Sequence, residues 1–412
     1  MRILKTIFRN LRLSKISTIF NFVGLITAFA AFIIIMLYVW TEYSFDTYHQ
    51  DADNIYRLEI KSPGKDKTSV YMAGQTKDVI NEQLPEVVAT TTYMPWGKWG
   101  EFLFEWTREG QKQQSYEDYA IADKHLTDVF TFDFLRSTSS SPLSEPHSAI
   151  VSDAFALKLW GTTDAITKTI TTNGEEYTVT GVFRTPPKNS LFDAPVIMAF
   201  PTEGWIAESY KAWGIVNFPE FIKVKPGTTA SELQTRINGI DILKEKYDFF
   251  DKNNERAEII VRPLSKLRFA KEVAENPLFN TNSQSSVNTL FVVGLFILII
   301  AMLNYINFAT ATLPKRIKNI GVTRILGNSR RQILMTNILE SVFVSGVSFL
   351  IALLLAMMVN HHFGIKLFEY SLNFQASAFV LLLLFGVALA VGIIGALAPA
   401  FGSIAVAPMD AV

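Results

Sequence analysis

From Ile19 to Trp40 the chain carries no charged residue. About 22 residues at a helical rise of about 1.5 Å cover roughly 33 Å, enough to cross the hydrocarbon slab of a bilayer. Three more apolar runs follow near the C-terminus, over residues 287–313, 333–359 and 376–402, and each is long enough to cross with some tilt. No run of that length lies between residues 42 and 286. The expected fold class is a membrane α-helical protein with four transmembrane helices and a mixed α/β extracytoplasmic domain inserted between helices 1 and 2. The expected segments are 17–41 for helix 1, 42–286 for the domain, 287–313 for helix 2 and 333–359 for helix 3. A short outer loop over 360–375, helix 4 over 376–402 and a tail over 403–412 complete the plan.

Inside the inserted region the periods shorten to those of a small α/β domain. Gln75 to Leu84 reads as a helix stopped by Pro85. Ser152 is placed to cap a helix through Leu159 that exits at Gly161. Asn173-Gly174 between two β-branched runs predicts a type I′ hairpin, followed by a strand from Tyr177 to Phe183. Phe218 to Val224 reads as a strand, Pro226-Gly227 as a turn, and Ser231 to Ile240 as a helix.

The uneven placement of charge supplies orientation. The N-terminus holds Arg2, Lys5, Arg9, Arg12 and Lys15, and the loop 314–332 holds Lys315, Arg316, Lys318, Arg324, Arg330 and Arg331, neither with an acid. Positively charged flanks stay cytoplasmic, so both termini and this loop are expected inside and residues 42–286 outside the inner membrane. Residues 1–16 also place Ile3, Leu4, Ile7, Phe8 and Leu11 on one helical face, which reads as an interfacial helix on the inner leaflet or as a plain topogenic segment. A cleaved signal peptide is the competing reading of the first run. Its small residues Ala28 and Ala30 lie inside the apolar stretch rather than after it, and cleavage would leave an odd number of spans.

The chain has 412 residues, no formal net charge and no cysteine, so no global bias points to nucleic acid, and disulfides and thiolate chemistry are excluded. The five histidines, His49, His125, His147, His361 and His362, show no metal-ligand spacing. Neither a Walker A loop nor a Gly-x-Ser-x-Gly elbow occurs, so no catalytic residue, cofactor or metal is expected.

Within the spans, Glu340 lies roughly 10 Å deep and needs a partner or a proton. Asn304 and Asn307 reach depths of roughly 9 to 14 Å on the neighbouring helix, so a polar layer joining Glu340 to one of them is expected. A proton relay is the alternative, with no second intramembrane acid to continue it. Ala388, Gly392, Ala396 and Ala400 form a stripe of small residues where another helix can approach, either in the same chain or across a dimer.

Four strings resemble one family in the same order: EYSFDTYHQDADNIYRLE, VSDAFALKLWGTTDAITKTITTNGEEYTVTGVFRTPPKNS, VRPLSKLRF, and NYINFATATLPKRIKNIGVTRILGNSRRQILMTNILES. The tail APAFGSIAVAPMDAV is similar to that family's proline-containing end. The chain resembles the FtsX-like permeases of ABC transporters with a MacB-type periplasmic domain. The resemblance implies a permease subunit whose helices pass the movement of a separate cytoplasmic ATPase to a two-lobed outer domain, for export or efflux of an envelope substrate. It also implies a homodimer or a heterodimer with a similar permease, contact with membrane lipids, and a periplasmic adaptor with a TolC-like outer-membrane duct. The other role the resemblance allows is a regulator that activates a cell-wall enzyme or senses antimicrobial peptides.

The loop 314–332 reads as a short basic-flanked helix from Ile317 to Leu326. Its charges serve topology and anionic lipid on one reading, and ATPase docking on the other. The resemblance implies the second, with Ile317, Ile320, Gly321, Val322, Arg324, Ile325, Leu326 and Gly327 as coupling residues. Asn319 stands where an acidic residue commonly precedes the Ile-Gly pair, which removes any salt bridge that acid makes.

Overall fold

The computed structural model describes residues 15–96, 100–247, 257–274, 278, 281–311, 329–367 and 378–405. The expected interfacial segment up to residue 14 and the coupling residues from Ile317 to Gly327 lie outside the described residues. The described chain divides into a helical bundle and an inserted domain, residues 44–283.

Four helices in the bundle are long and apolar enough to cross a membrane: Lys15–Tyr43, Gln284–Ala311, Arg330–Leu367 and Ala378–Ala405. The third continues past the apolar run to Leu367. Hydropathy marks where a segment ceases to be apolar, not where backbone hydrogen bonding stops, and a helix emerging from a bilayer keeps its ladder until a breaker intervenes. The bundle core joins Phe29, Ile33 and Leu37 of the first helix to Phe349, Ala352 and Ala356 of the third and Leu384, Ala388 and Val391 of the fourth. Glycines set the close approaches. A Cβ on Gly294 of the second helix falls 2.5 Å from Met36 Cε of the first.

The described residues of the inserted domain form thirteen strands. They are β1 (Ile55–Lys61), β2 (Tyr71–Ala73), β3 (Val87–Pro95), β4 (Phe102–Arg108), β5 (Gln111–Glu117), β6 (Ala120–Ala122), β7 (Phe134–Ser137), β8 (Ser148–Ser152), β9 (Thr169–Thr172), β10 (Glu175–Phe183), β11 (Val196–Ala199), β12 (Val216–Val224) and β13 (Glu258–Pro263). The helices among them are α1 (Thr76–Gln83), α2 (Asp153–Trp160), α3 (Gly204–Tyr210), α4 (Ala230–Ile237) and α5 (Asp241–Tyr247), with a four-residue turn of helix at Leu126–Val129.

The first lobe is an antiparallel sheet in the order β13-β1-β12-β3, with α1 linking β1 to β3 and α4 and α5 linking β12 to β13. This is a split β-α-β arrangement, so each crossover helix covers the same sheet face. Ile80 and Leu84 from the α1 segment, with Leu233 and Ile237 from α4, pack on Leu58, Ile60, Ile222 and Val261 of that face. The second lobe, β4 to β11, is inserted between β3 and β12 and continues the sheet as β6-β11-β8-β10-β9-β4-β5. The sheet passes from one lobe to the other through a three-residue register between β3 and β6, Tyr93 with Ala122, Met94 with Ile121, and Pro95 with Ala120, and a core in which Tyr93 meets Phe192 and Phe130 meets Phe221 is common to both.

Local chemistry places several of these elements. The Ser152 hydroxyl accepts from the Phe155 amide, and α2 ends at Gly161, whose φ of 70° is the left-handed exit that glycine tolerates. Asn173 and Gly174 have φ of 53° and 83°, which sets the β9–β10 hairpin.

Candidate functional site

Three arrangements stand out: the polar seam of the bundle, the segment that follows the first long helix, and a buried ion cluster on β1. Each lies within one of the two units.

In the bundle, Tyr305 is buried and donates to Ser341 Oγ at 2.6 Å, linking the second and third helices. Ser345 Oγ donates to the Ala388 carbonyl at 2.6 Å, linking the third to the fourth. Glu340 is buried beside Ser341. Asn304 and Asn307, expected to face it, lie on exposed positions of the second helix. The reason is angular: Ala301 and Tyr305, four residues apart, occupy the buried face, and the asparagines fall to either side of it. Of the small stripe, Ala388 and Ala396 are buried, and Gly392 lies against the third helix of the same chain. A Cβ there meets Ser341 O, Val342 Cα and Ser345 Cβ, each at 3.0 Å. The side chain of Ala400 lies outside the described residues. Tyr43 at the end of the first helix donates to Asn288 Oδ1 near the start of the second.

The chain passes from Tyr43 directly into residues 44–51, which are held inside the inserted domain. Phe45, Asp46 and His49 are buried there. The Asp46 amide donates to Asn189 O at 2.9 Å, and the Leu191 amide donates to Asp46 Oδ1 at 2.9 Å. Asn189 Nδ2 donates to Ser44 O at 2.7 Å, and the Tyr48 hydroxyl lies 2.9 Å from Ser190 Oγ. Asp46 reaches this position with φ of 56°, a left-handed conformation that aspartate adopts more readily than most residues. His49 Nδ1 accepts from the Thr131 amide at 3.2 Å, which leaves the ring proton on Nε2, 3.6 Å from Asp46 Oδ1. Phe130 and Phe192 pack edge-on against the same ring. The segment is therefore a clasp of backbone and side-chain bonds onto residues 189–191, seated on an aromatic floor.

On β1, Arg57 and Glu59 are both fully buried and paired. Arg262 of β13 donates to both Glu59 oxygens, at 2.7 and 2.9 Å, and Thr68 adds a hydroxyl at 2.7 Å. Burial works to raise the Glu59 carboxyl, but the Arg262 hydrogen bonds and the charges of Arg57 and Arg262 hold it below the ordinary glutamate range. Burial likewise draws Arg57 below its ordinary range. Among the described residues, no group of three histidine, cysteine, aspartate or glutamate side chains is arranged to hold a metal ion.

The clasp, the ion cluster and the Tyr305–Ser341 bond were not among the residues singled out from the sequence. The clasp and the ion cluster nonetheless lie within or across the strings quoted above. Asp46 and Tyr48 meet Asn189 and Ser190, and Glu59 meets Arg262. A charged pair inside an otherwise apolar strand, IYRLEI, was the available signal for the second.

Comparison with known proteins agrees with this layout. Residues 18–240 match the MacB-like periplasmic core domain, and residues 291–407 match the FtsX-like permease C-terminal region. No curated protein matches the chain by sequence. Among solved structures, a domain of a permease protein from Porphyromonas gingivalis is 18% identical, with a TM-score of 0.43, over 59% of this chain and 99% of that one. The periplasmic region of MacB from Actinobacillus actinomycetemcomitans is 8% identical, with a TM-score of 0.37, over 55% and 95%. The extracellular domain of the transporter YknZ from Gram-positive bacteria is 12% identical, with a TM-score of 0.34, over 50% and 100%.

Proposed function

The chain belongs to the family of ABC-transporter permeases that carry a MacB-like periplasmic core domain and an FtsX-like C-terminal region, and from that membership we propose that it transmits the ATP-driven movement of a separate cytoplasmic ATPase to its inserted domain, for export of an envelope substrate. The observation that supports this reading best is the clasp. Residues that follow directly on the first long helix are anchored in the core of the inserted domain by Asp46 and His49 rather than joined to it by a loose linker. A displacement of that helix along its axis then pulls on a folded unit. A flexible linker would absorb it.

Lysine and arginine at the N-terminus and over 314–332 support cytoplasmic termini and an outer position for the inserted domain. On this reading the coupling residues from Ile317 to Gly327 face the ATPase. Pairing with a second copy or a similar permease belongs to the same reading, as do an adaptor and an outer-membrane duct. Glu340, with Asn304 and Asn307 at its level, serves the bundle structurally in this scheme.

Replacing Ile325 and Leu326 together by aspartate puts two carboxylates where apolar side chains enter the partner's groove. Truncation or charge at the centre of an interface costs about 2 kcal/mol or more per site, so recovery of the cognate ATPase in pull-down should fall at least about tenfold. Recovery equal to the unaltered chain rejects these residues as the docking element.

A further inference from the structure

The joint between the two lobes of the inserted domain carries a second buried cluster, unrelated to the clasp. Lys77 at the start of α1 is buried, and its Nζ lies 3.0 Å from Asp123 Oδ2, just beyond β6 in the second lobe. The same ammonium lies 3.0 Å from Asp78 Oδ1. Asp78 in turn accepts from the Tyr210 hydroxyl at 2.7 Å, and Tyr210 ends α3, which connects β11 of the second lobe to β12 of the first. The Tyr210 ring lies against Gly74, where a Cβ would sit 2.3 Å from it, and Gln75 Nε2 donates to the Lys211 carbonyl at 2.6 Å. These side-chain bonds add to the three β3–β6 residue pairs, to the Asp123 bonds with Thr91 and Thr92, and to the shared core in which Phe130 meets Phe221.

Beneath them, on β12, lies Glu220, which is 0% exposed; the donor nearest its carboxyl is the Lys77 backbone amide, at the margin of hydrogen-bond geometry, and no side chain donates to it. The groups that face it are Lys77 and Asp78 from α1, Asp123 from the β6 end, Tyr210 from α3 and Tyr247 from α5. One lysine therefore stands among three carboxyl groups, and two of them already hold it. Burial drives the Glu220 carboxyl well above its ordinary range against the pull of Lys77, and Asp78 and Asp123 add to the rise. Lys77 shows the complementary result: burial works to lower it, but Asp123, Tyr210, Asp78 and Glu220 hold it above the ordinary lysine range.

We propose that this joint is a proton-operated latch: Glu220 holds a proton while Lys77 bridges Asp123 and Asp78, and ionised Glu220 competes for Lys77 and releases the second lobe. A buried carboxylate without a side-chain donor is costly, so the ionised form favours whichever arrangement brings it a cation or water. Proton uptake is tied to the closed form. Closure is therefore favoured at low pH and lost as pH rises through the raised Glu220 value, above the ordinary glutamate range. The proton thus offers the domain a control separate from nucleotide.

The full chain in lipid nanodiscs tests this directly. Because it has no native cysteine, Glu232→Cys on α4 and Leu157→Cys on α2 give one spin label per lobe on exposed positions. The distance distribution, read from about pH 5 to about pH 10, is expected to pass from one narrow population to a longer or broader one. Glu220→Gln keeps the shape and removes the titration, and it should hold the narrow population across the whole range. A wild-type distribution that does not change with pH overturns the latch. So does a Glu220→Gln variant whose pH response matches the wild type, since the proton then binds elsewhere.

Discussion

Replacing Glu59 by glutamine is expected to cost the inserted domain about 3–5 kcal/mol, the range for removing one partner of a buried ion pair. Arg57 is fully buried, and Glu59 is the carboxylate paired with it on the same strand. Glutamine fills the same volume, but it leaves a guanidinium charge in the sheet interior and Arg262 without its bidentate partner. Denaturant unfolding followed by tryptophan fluorescence should show a lower midpoint with an unchanged slope. Replacing Arg57 and Glu59 together by methionine and leucine should cost less, because Arg57 is then not stranded and Arg262 keeps its pair with Glu272. The pH dependence has a defined sign. The folded Glu59 carboxyl sits below its unfolded value, so its stabilisation is present above the ordinary glutamate range and fades as pH falls through the folded value. A glutamine variant as stable as the wild type at neutral pH would falsify the claim that this cluster holds β13 to β1.

Gly392→Leu should be the most damaging single change in the bundle. Even the first added carbon lies 3.0 Å from Ser341 O and Val342 Cα, and both are backbone or nearly so. The third and fourth helices must separate to admit it, which breaks the Ser345 bond to the Ala388 carbonyl. Overpacking of this kind costs about 1–3 kcal/mol, with roughly 0.6 kcal/mol more for an interhelical hydrogen bond in a membrane protein. The thermal midpoint of the purified protein should fall by several degrees. Gly386→Leu is the control, since nothing lies within 4 Å of a Cβ at that position. Equal midpoints for the two variants contradict the packing described.

The same contrast shows what was legible in the sequence. Spans, caps and the Asn173-Gly174 hairpin follow from local rules, because hydrophobic length, a hydroxyl at a helix start and a left-handed turn are properties of a few adjacent residues. The stripe at Ala388, Gly392 and Ala396 was visible as a period of four, but its partner was not, and the structure supplies it in Ser341 and Ser345. For the expected polar layer of Glu340 with Asn304 or Asn307 the limit was the complementary one. Depth placed Asn304 and Asn307 level with Glu340, whereas the rotation of the second helix turns Tyr305 inward instead. Depth follows from counting residues, but rotation follows from packing. Asp46, Glu59 and Glu220 were harder still, because each is buried against residues far along the chain, such as Leu191, Arg262 and Lys77.

Under the proposed function, the inserted domain is one that is pulled, and three features suit that role. The ion cluster pins β1 to β13, the clasp anchors the chain where it leaves the first helix, and the two lobes meet over a short register. On the proposed reading, stiffness near the anchor would pass a helix displacement into the domain rather than let it be absorbed.

Hydrogen exchange of residues 44–51 and 189–193 in the full chain, bound to its cognate ATPase in nanodiscs, tests that account most directly. Protection of the Asp46 and Leu191 amides should differ between the ATP-bound and ADP-bound complexes, because force on the first helix loads the bonds they make. Identical protection in the two nucleotide states, with the ATPase bound and turning over, would mean that the movement reaches the inserted domain by another route or not at all.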